Sequence, residues 1–164
     1  MSAEKRAVLL IAHGSPARDV PRELLREMRL LNAKTDKSPA DVARAQELEQ
    51  QVRQWPRTED NDPYRTGTER LVTELRALMG DVPVMAAYNE FCAPDILAAM
   101  QELVDAGASH IDVFSTMMTP GGGHSERDIP EALAMCRVRF PSVELKYRWP
   151  YQLDLVAQMI QAHL

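Results

Sequence analysis

The chain has 164 residues, 45% of them hydrophobic and 26% charged, which suits one globular domain with its own core and excludes wholesale disorder. Its 19 Lys and Arg against 24 Asp and Glu give a net charge of −5, and aromatics reach only 5%, so the basic face and stacking rings of a general nucleic-acid binder are missing. The apolar run AVLLIA (7–12) falls far short of the roughly 20 residues of a membrane span, and the beginning of the chain lacks a signal-peptide layout, so neither nucleic acid nor membrane is expected as a partner.

AVLLIA reads as the first strand and ends in His13, Gly14 and Ser15. Residues 15–81 then carry three apolar series, at Leu24, Leu25, Met28 and Leu31, at Leu48, Val52 and Trp55, and at Leu71, Val72, Leu75 and Leu78. These predict three helices where one would suffice. The third is expected to open on a Thr66–Glu69 capping box and to stop at Gly80. The polar stretch WPRTEDNDPYRTGT (55–68) reads as a turn-rich loop. Residues 1–164 are therefore expected to form a single domain with a helical insertion at about 32–66, serving as a lid or a dimer contact, with Arg57 and Arg65 facing a bound ligand.

VPVMAAY (82–88) predicts the second strand, followed by Asn89, Glu90, Phe91 and Cys92. A helix follows, with Pro94 in its first turn, Ile96, Leu97, Met100, Leu103 and Val104 on one face and Gly107 at its end. IDVFSTM (111–117) predicts the third strand and leads into TPGGGHSERD (119–128). Asp128 and Glu131 are spaced to start the next helix, which carries Ile129, Leu133, Cys136 and Phe140 inward. VELKY (143–147) is the fourth strand, and a last helix from about Leu153 is expected to bury Val156, Met159 and Ile160. The alternation implies an α/β fold, an open four-stranded parallel sheet of order 2-1-3-4 with helices on both faces.

Ligands of such sheets bind beyond the carboxyl ends of the strands. His13, Glu90 and His124 all fall on that rim, whereas His110 lies at the opposite edge and His163 near the end of the last helix. Two imidazoles and a carboxylate from three neighbouring elements suit an open site for a divalent metal. The competing motifs are weaker. There is no GxxxxGK[ST] and no GxGxxG after the first strand, so no nucleotide is expected. Ser15 lacks a GxSxG elbow, and Gly121, Gly122 and Gly123 lack an adjacent Lys. Cys92 and Cys136 form no CxxC and read as buried thiols of a cytoplasmic protein, with Cys92 kept open as a further ligand.

At HGS (13–15), AAYNEFCAPDILAAMQELVDAGASHIDVF (86–114) and TMMTPGGGHSERDIPEAL (116–133) the sequence resembles the sirohydrochlorin chelatases, the small cobalt or iron chelatases of cobalamin and siroheme synthesis. The resemblance covers residues 7–15 and about 82–140. It implies a flavodoxin-like chelatase fold, pairing as a homodimer, and a tetrapyrrole held over the strand ends. It also places the two metal-binding histidines on His13 and His124 and the acidic residue, in a motif reading YNE here, on Glu90. Two segments depart from the short family members: residues 32–66 are longer, and RWPYQ (148–152) replaces a Leu-Gly turn.

Metal insertion into a free-base macrocycle requires the ion to shed water and the pyrroles to lose protons, and neutral imidazoles serve both steps. The metal, Co²⁺ or Fe²⁺ with Ni²⁺ as a further option, would be a substrate. Sirohydrochlorin is a polycarboxylate, so Arg18, Arg65 and Arg127 are expected to supply cations at the cleft. A non-catalytic metal or tetrapyrrole carrier on the same fold is the alternative to a chelatase, and turnover separates the two.

Overall fold

The computed structural model describes residues 5–164. Strands β1 (Arg6–Ala12), β2 (Val84–Tyr88), β3 (His110–Ser115) and β4 (Glu144–Tyr147) form one sheet in the order β2-β1-β3-β4, and every adjacent pair is parallel. Parallel neighbours need crossovers. Helices α1 (Arg22–Ala33), α2 (Pro39–Arg53) and α3 (Pro63–Met79) lie between β1 and β2, α4 (Ile96–Asp105) between β2 and β3, and α5 (Ile129–Arg139) between β3 and β4. Helix α6 (Leu153–Gln161) follows β4.

Successive side chains of a strand point to opposite faces. Ala7, Leu9 and Ile11 pack with Met100 and Leu103 of α4 and with Leu133 and Cys136 of α5. Val8, Leu10 and Ala12 pack on the other face with Val72 of α3. A central strand covered on both sides has no wet face, which explains why AVLLIA is an unbroken apolar run.

A third apolar cluster joins Ala17 and Val20 to Met28 and Leu31 of α1 and to Leu48 and Val52 of α2. Leu48 and Val52 are fully buried, so the apolar stripe of the inserted segment is covered by α1 within the chain. Below it, Arg53 and Arg57 grip the chain that follows β2. Arg53 donates to the carbonyls of Tyr88, Asn89 and Cys92. Arg57 donates to the carbonyls of Ser15, Val52, Trp55 and Phe91 and forms an ion pair with Asp62. With its side chain only 4% exposed, Arg57 cannot face a ligand, contrary to the expectation from sequence.

Several boundaries differ from the spacing rules. Asp62 caps α3 through the Arg65 N–H and Pro63 takes the first helical position, so the Thr66–Glu69 pair lies inside the helix. Asp128 is already helical, because a single π-helical turn, His124–Asp128, runs straight into α5. Asp95 caps α4, leaving Pro94 outside it. Helix α6 buries no residue fully, and Met159 and Ile160 are 43% and 60% exposed. A groove of about 400 Å³ lined by Leu75, Phe114, Leu155 and Met159 keeps α6 off α3 and the sheet.

Arg57→Met strands the Asp62 carboxylate in a dry interior. It is expected to cost about 3–5 kcal/mol in urea unfolding, as breaking a buried ion pair does; a loss below about 1 kcal/mol, the range of exposed pairs, would show that the pair braces nothing.

Candidate metal centre

The first side of the site is built where β1 and β2 end. The backbone ladder continues past both strands, with Asn89 N–H donating to the Ala12 carbonyl and Glu90 N–H to the His13 carbonyl, each at 2.9 Å. Gly14 permits this approach. Its φ is +86°, and a Cβ there would stand 2.0 Å from the Glu90 carbonyl oxygen, so no other residue fits without moving the loop. Phe91 next to Glu90 adopts φ 58°, a left-handed conformation uncommon outside glycine, and the Arg57 bond to its carbonyl helps to hold it. Tyr64 of α3 accepts the His13 backbone N–H at 3.1 Å.

The second side is the glycine loop and the π turn after β3. Ser125 is buried and donates to the Gly122 carbonyl, and the Tyr147 hydroxyl donates to the Ser125 carbonyl. Glu126 accepts from Gly121 N–H and from Trp149 Nε1, each at 3.1 Å. Those two donors, the backbone one first, hold the Glu126 carboxyl below the usual carboxylate range. The RWPYQ segment thus braces the loop that carries His124.

His13, Glu90 and His124 are half-buried, and each offers one donor atom within 4.8 Å of the others. The imidazoles meet edge to face with centroids 4.5 Å apart and an interplanar angle of 88°. Ligands at about 2.0–2.2 Å from one ion stand at most about 4.4 Å from each other, so a small side-chain rotation brings the three into range.

The ring protons are also placed. His13 Nδ1 lies 2.7 Å from the Gly14 carbonyl, which can only accept. His124 Nδ1 lies 2.7 Å from Asp128 Oδ2, while the Asn89 amide reaches the same nitrogen at 2.8 Å. The Asp128 carboxylate is the charged acceptor of the two, so the single Nδ1 proton is assigned to that bond. In both rings Nε2 is left with a free lone pair, the state a ligating histidine needs. Burial works against the Asp128 charge, but bonds from Arg127 and His124 outweigh it and hold the carboxyl below its ordinary range.

The remaining sequence candidates lie elsewhere. His110, at the opposite edge, pairs with Glu144 at 2.7 Å, and His163 is exposed on the end of α6. Cys92 is buried on the α3 face with its thiol pushed up by desolvation, and it is not one of the converging donors. Arg127 flanks Asp128 at 2.9 Å and is largely exposed, and Arg18 reaches the Asp60 carbonyl. Arg65 lines a separate cavity of about 300 Å³ with Glu69 and Arg70. The spacing rules passed over Asn89, Tyr64 and Asp128. Only Asp128 left a signal, the four-residue separation from His124 that brings two side chains together on one helical face.

The CbiX family model matches residues 58–161, more than half of the chain. The sirohydrochlorin ferrochelatase of Priestia megaterium is 28% identical over 75 residues, covering 45% of this chain and 28% of the relative, so the matched stretch spans little more than a quarter of that protein. Among solved structures, the sirohydrochlorin chelatase SirB from Bacillus subtilis subspecies spizizenii in complex with cobalt superposes with a TM-score of 0.52 at 20% identity over 89% of this chain and 43% of that one. A structure described as a cobalamin (vitamin B12) biosynthesis CbiX protein from Marinobacter aquaeolei VT8 gives a TM-score of 0.55 at 13% identity over 96% of this chain and 92% of that one. At these identities the structural likeness is one of fold.

Asp128→Asn removes the charge that orients the His124 ring. It is expected to weaken Co²⁺ binding by about 10- to 100-fold in a calorimetric titration, with an unchanged circular dichroism spectrum; unaltered affinity would mean that the Asp128 bond does not tune the site.

Proposed function

The chain belongs to the CbiX family, and from that premise we propose that it inserts a divalent metal, Co²⁺ or Fe²⁺, into sirohydrochlorin or a closely related tetrapyrrole without a nucleotide. The observation that carries the reading is the convergence of His13, Glu90 and His124, with a free lone pair on each imidazole, at the open rim of the sheet. The ferrochelatase relative and the cobalt-bound neighbour support the two metals named.

In this reading His13 and His124 replace water on the incoming ion and Glu90 balances its charge. As the ion leaves for the ring, the two imidazoles it vacates would take up the two pyrrole protons that the ring loses, and the Asp128 carboxylate would stabilise the imidazolium formed on His124. Arg127, next to Asp128, and Arg18, on the hollow beside α1, are the cations this reading offers to the carboxylates of the macrocycle. The free, buried Cys92 and Cys136 support a cytoplasmic setting. The apolar flank of α6, with Leu153, Leu155 and Ile160 each more than half exposed, supports a homodimer.

Mixing the pure protein with sirohydrochlorin and Co²⁺ or Fe²⁺ and following the absorbance change tests the reading. Wild type is expected to exceed the uncatalysed rate, and His13→Ala and His124→Ala to fall back to it while remaining folded. Glu90→Gln should lose less, since one charge-balancing ligand is removed and both imidazoles stay. Wild-type turnover in both histidine variants would overturn the proposed chemistry, and tight binding without turnover would make the protein a carrier. Sedimentation of a single 18.5 kDa species at micromolar concentration would overturn the dimer.

A further inference from the structure

Several arginines of this acidic chain are neutralised. Arg44 pairs with Glu27 and Glu47, Arg53 with Glu49, Arg57 with Asp62, Arg70 with Glu59 and Arg148 with Asp112. Helix α1 is different. Arg22, Arg26 and Arg29 follow one another at four and three residues, which sets them on one stripe of the helix. Among the described residues none of the three has an acidic partner within ion-pair distance, and all are exposed. Glu27, the acid on α1 nearest to Arg26, is already held by Arg44 through two bonds of 2.8 and 3.1 Å. Glu23 sits about 100° around the helix from Arg22, off the stripe.

These exposed guanidiniums border a shallow concavity. Together with Arg18 they line a cavity of about 510 Å³ whose floor is Ala17, Val20 and Leu25. Arg29 also lines the neighbouring cleft of about 490 Å³, whose wall includes Glu90 and the two groups flanking His124, Asn89 and Asp128. The two hollows therefore meet at Arg29, and from there the guanidiniums continue along α1, away from the Glu90 cleft. At the far end of α1 the N-cap is Pro21, whose ring carries no acceptor, so the partial positive charge of the helix end adds to that of Arg18 and Arg22.

Four guanidiniums without an acidic partner around one hollow repel each other. An anion with several carboxylates spread along its edge removes that repulsion, and the planar fork of each guanidinium matches a carboxylate in two hydrogen bonds. We infer that Arg18, Arg22, Arg26 and Arg29 form a subsite for the peripheral carboxylates of an anionic macrocycle lying across the Glu90 cleft. The identity of the macrocycle rests on the function proposed above, while the anion site rests on the arginines themselves.

The test uses a triple variant, R22A/R26A/R29A, whose exposed positions on a helix tolerate alanine. Benzenehexacarboxylate serves as a probe without a macrocycle, titrated calorimetrically at low salt. Sirohydrochlorin is the second probe, read as KM in Co²⁺ insertion, and Co²⁺ binding without macrocycle is the third measurement. The variant is expected to lose on the order of tenfold or more in affinity for benzenehexacarboxylate. Its KM for sirohydrochlorin should rise comparably, with Co²⁺ affinity retained. R22K/R26K/R29K keeps the charge without the fork and should fall between the two. Unchanged benzenehexacarboxylate affinity and unchanged KM in R22A/R26A/R29A overturn the subsite and leave the chelatase reading standing. If wild type inserts no metal but binds benzenehexacarboxylate through these arginines, the chelatase reading fails and the polycarboxylate subsite stands. A loss of Co²⁺ affinity equal to the loss for the anion would show general damage to the cleft and overturn the subsite.

Discussion

The buried guanidinium of Arg57 ties together the segments that the candidate site depends on. All five of its N–H donors are used: Nε on Trp55, one terminal nitrogen on Ser15 and Asp62, the other on Val52 and Phe91. Removing such a charge from water costs several kcal/mol, and only the Asp62 carboxylate together with four oriented carbonyls offsets it. A lysine has three donors and no plane, so it could not reach the same set. The bond to Ser15 fixes the chain just after His13, and the bond to Phe91 fixes the chain just after Glu90. Two of the three converging side chains therefore share one anchor, which neither of them touches.

The third, His124, is held by different means. Tyr147, Trp149 and Glu126 support the glycine loop, and a π turn sets His124 four residues from Asp128 in a geometry that closes a 2.7 Å bond. Each imidazole spends its Nδ1 proton on an acceptor, one a backbone carbonyl and the other a carboxylate. The difference matters chemically. A carbonyl orients a ring, whereas a carboxylate also stabilises its protonated form, so the two histidines are unequal although both present a free nitrogen.

The net charge of −5 describes the whole surface poorly. Acidic residues such as Glu27, Glu49 and Glu59 neutralise a nearby arginine, while the guanidiniums of α1, without an acidic partner, gather beside the cleft. Local potential follows from this arrangement and not from the sum, so an acidic chain can present a basic wall to an anionic ligand.

The sequence by itself determined the four parallel strands, their order and the rim on which His13, Glu90 and His124 meet. Those features follow from local periodicity and from the chirality of crossovers, both of which are written in neighbouring residues. The start of α3 is also local, in the Asp62 cap and Pro63, but the Thr66–Glu69 spacing competes with it; at α5 the π turn carries Asp128 into the helix, which a capping rule does not foresee. Only the tertiary structure decided that Leu48 and Val52 belong to the core and that Arg57 is a brace, since burial depends on what α1 and the loop after β2 bring to them. Helix α6 shows the converse case. Its amphipathic spacing marks a face that wants cover, but the spacing cannot supply a surface, and the chain leaves that face open. Periodicity reports which side of an element is apolar, and only the packing of distant segments decides what meets it.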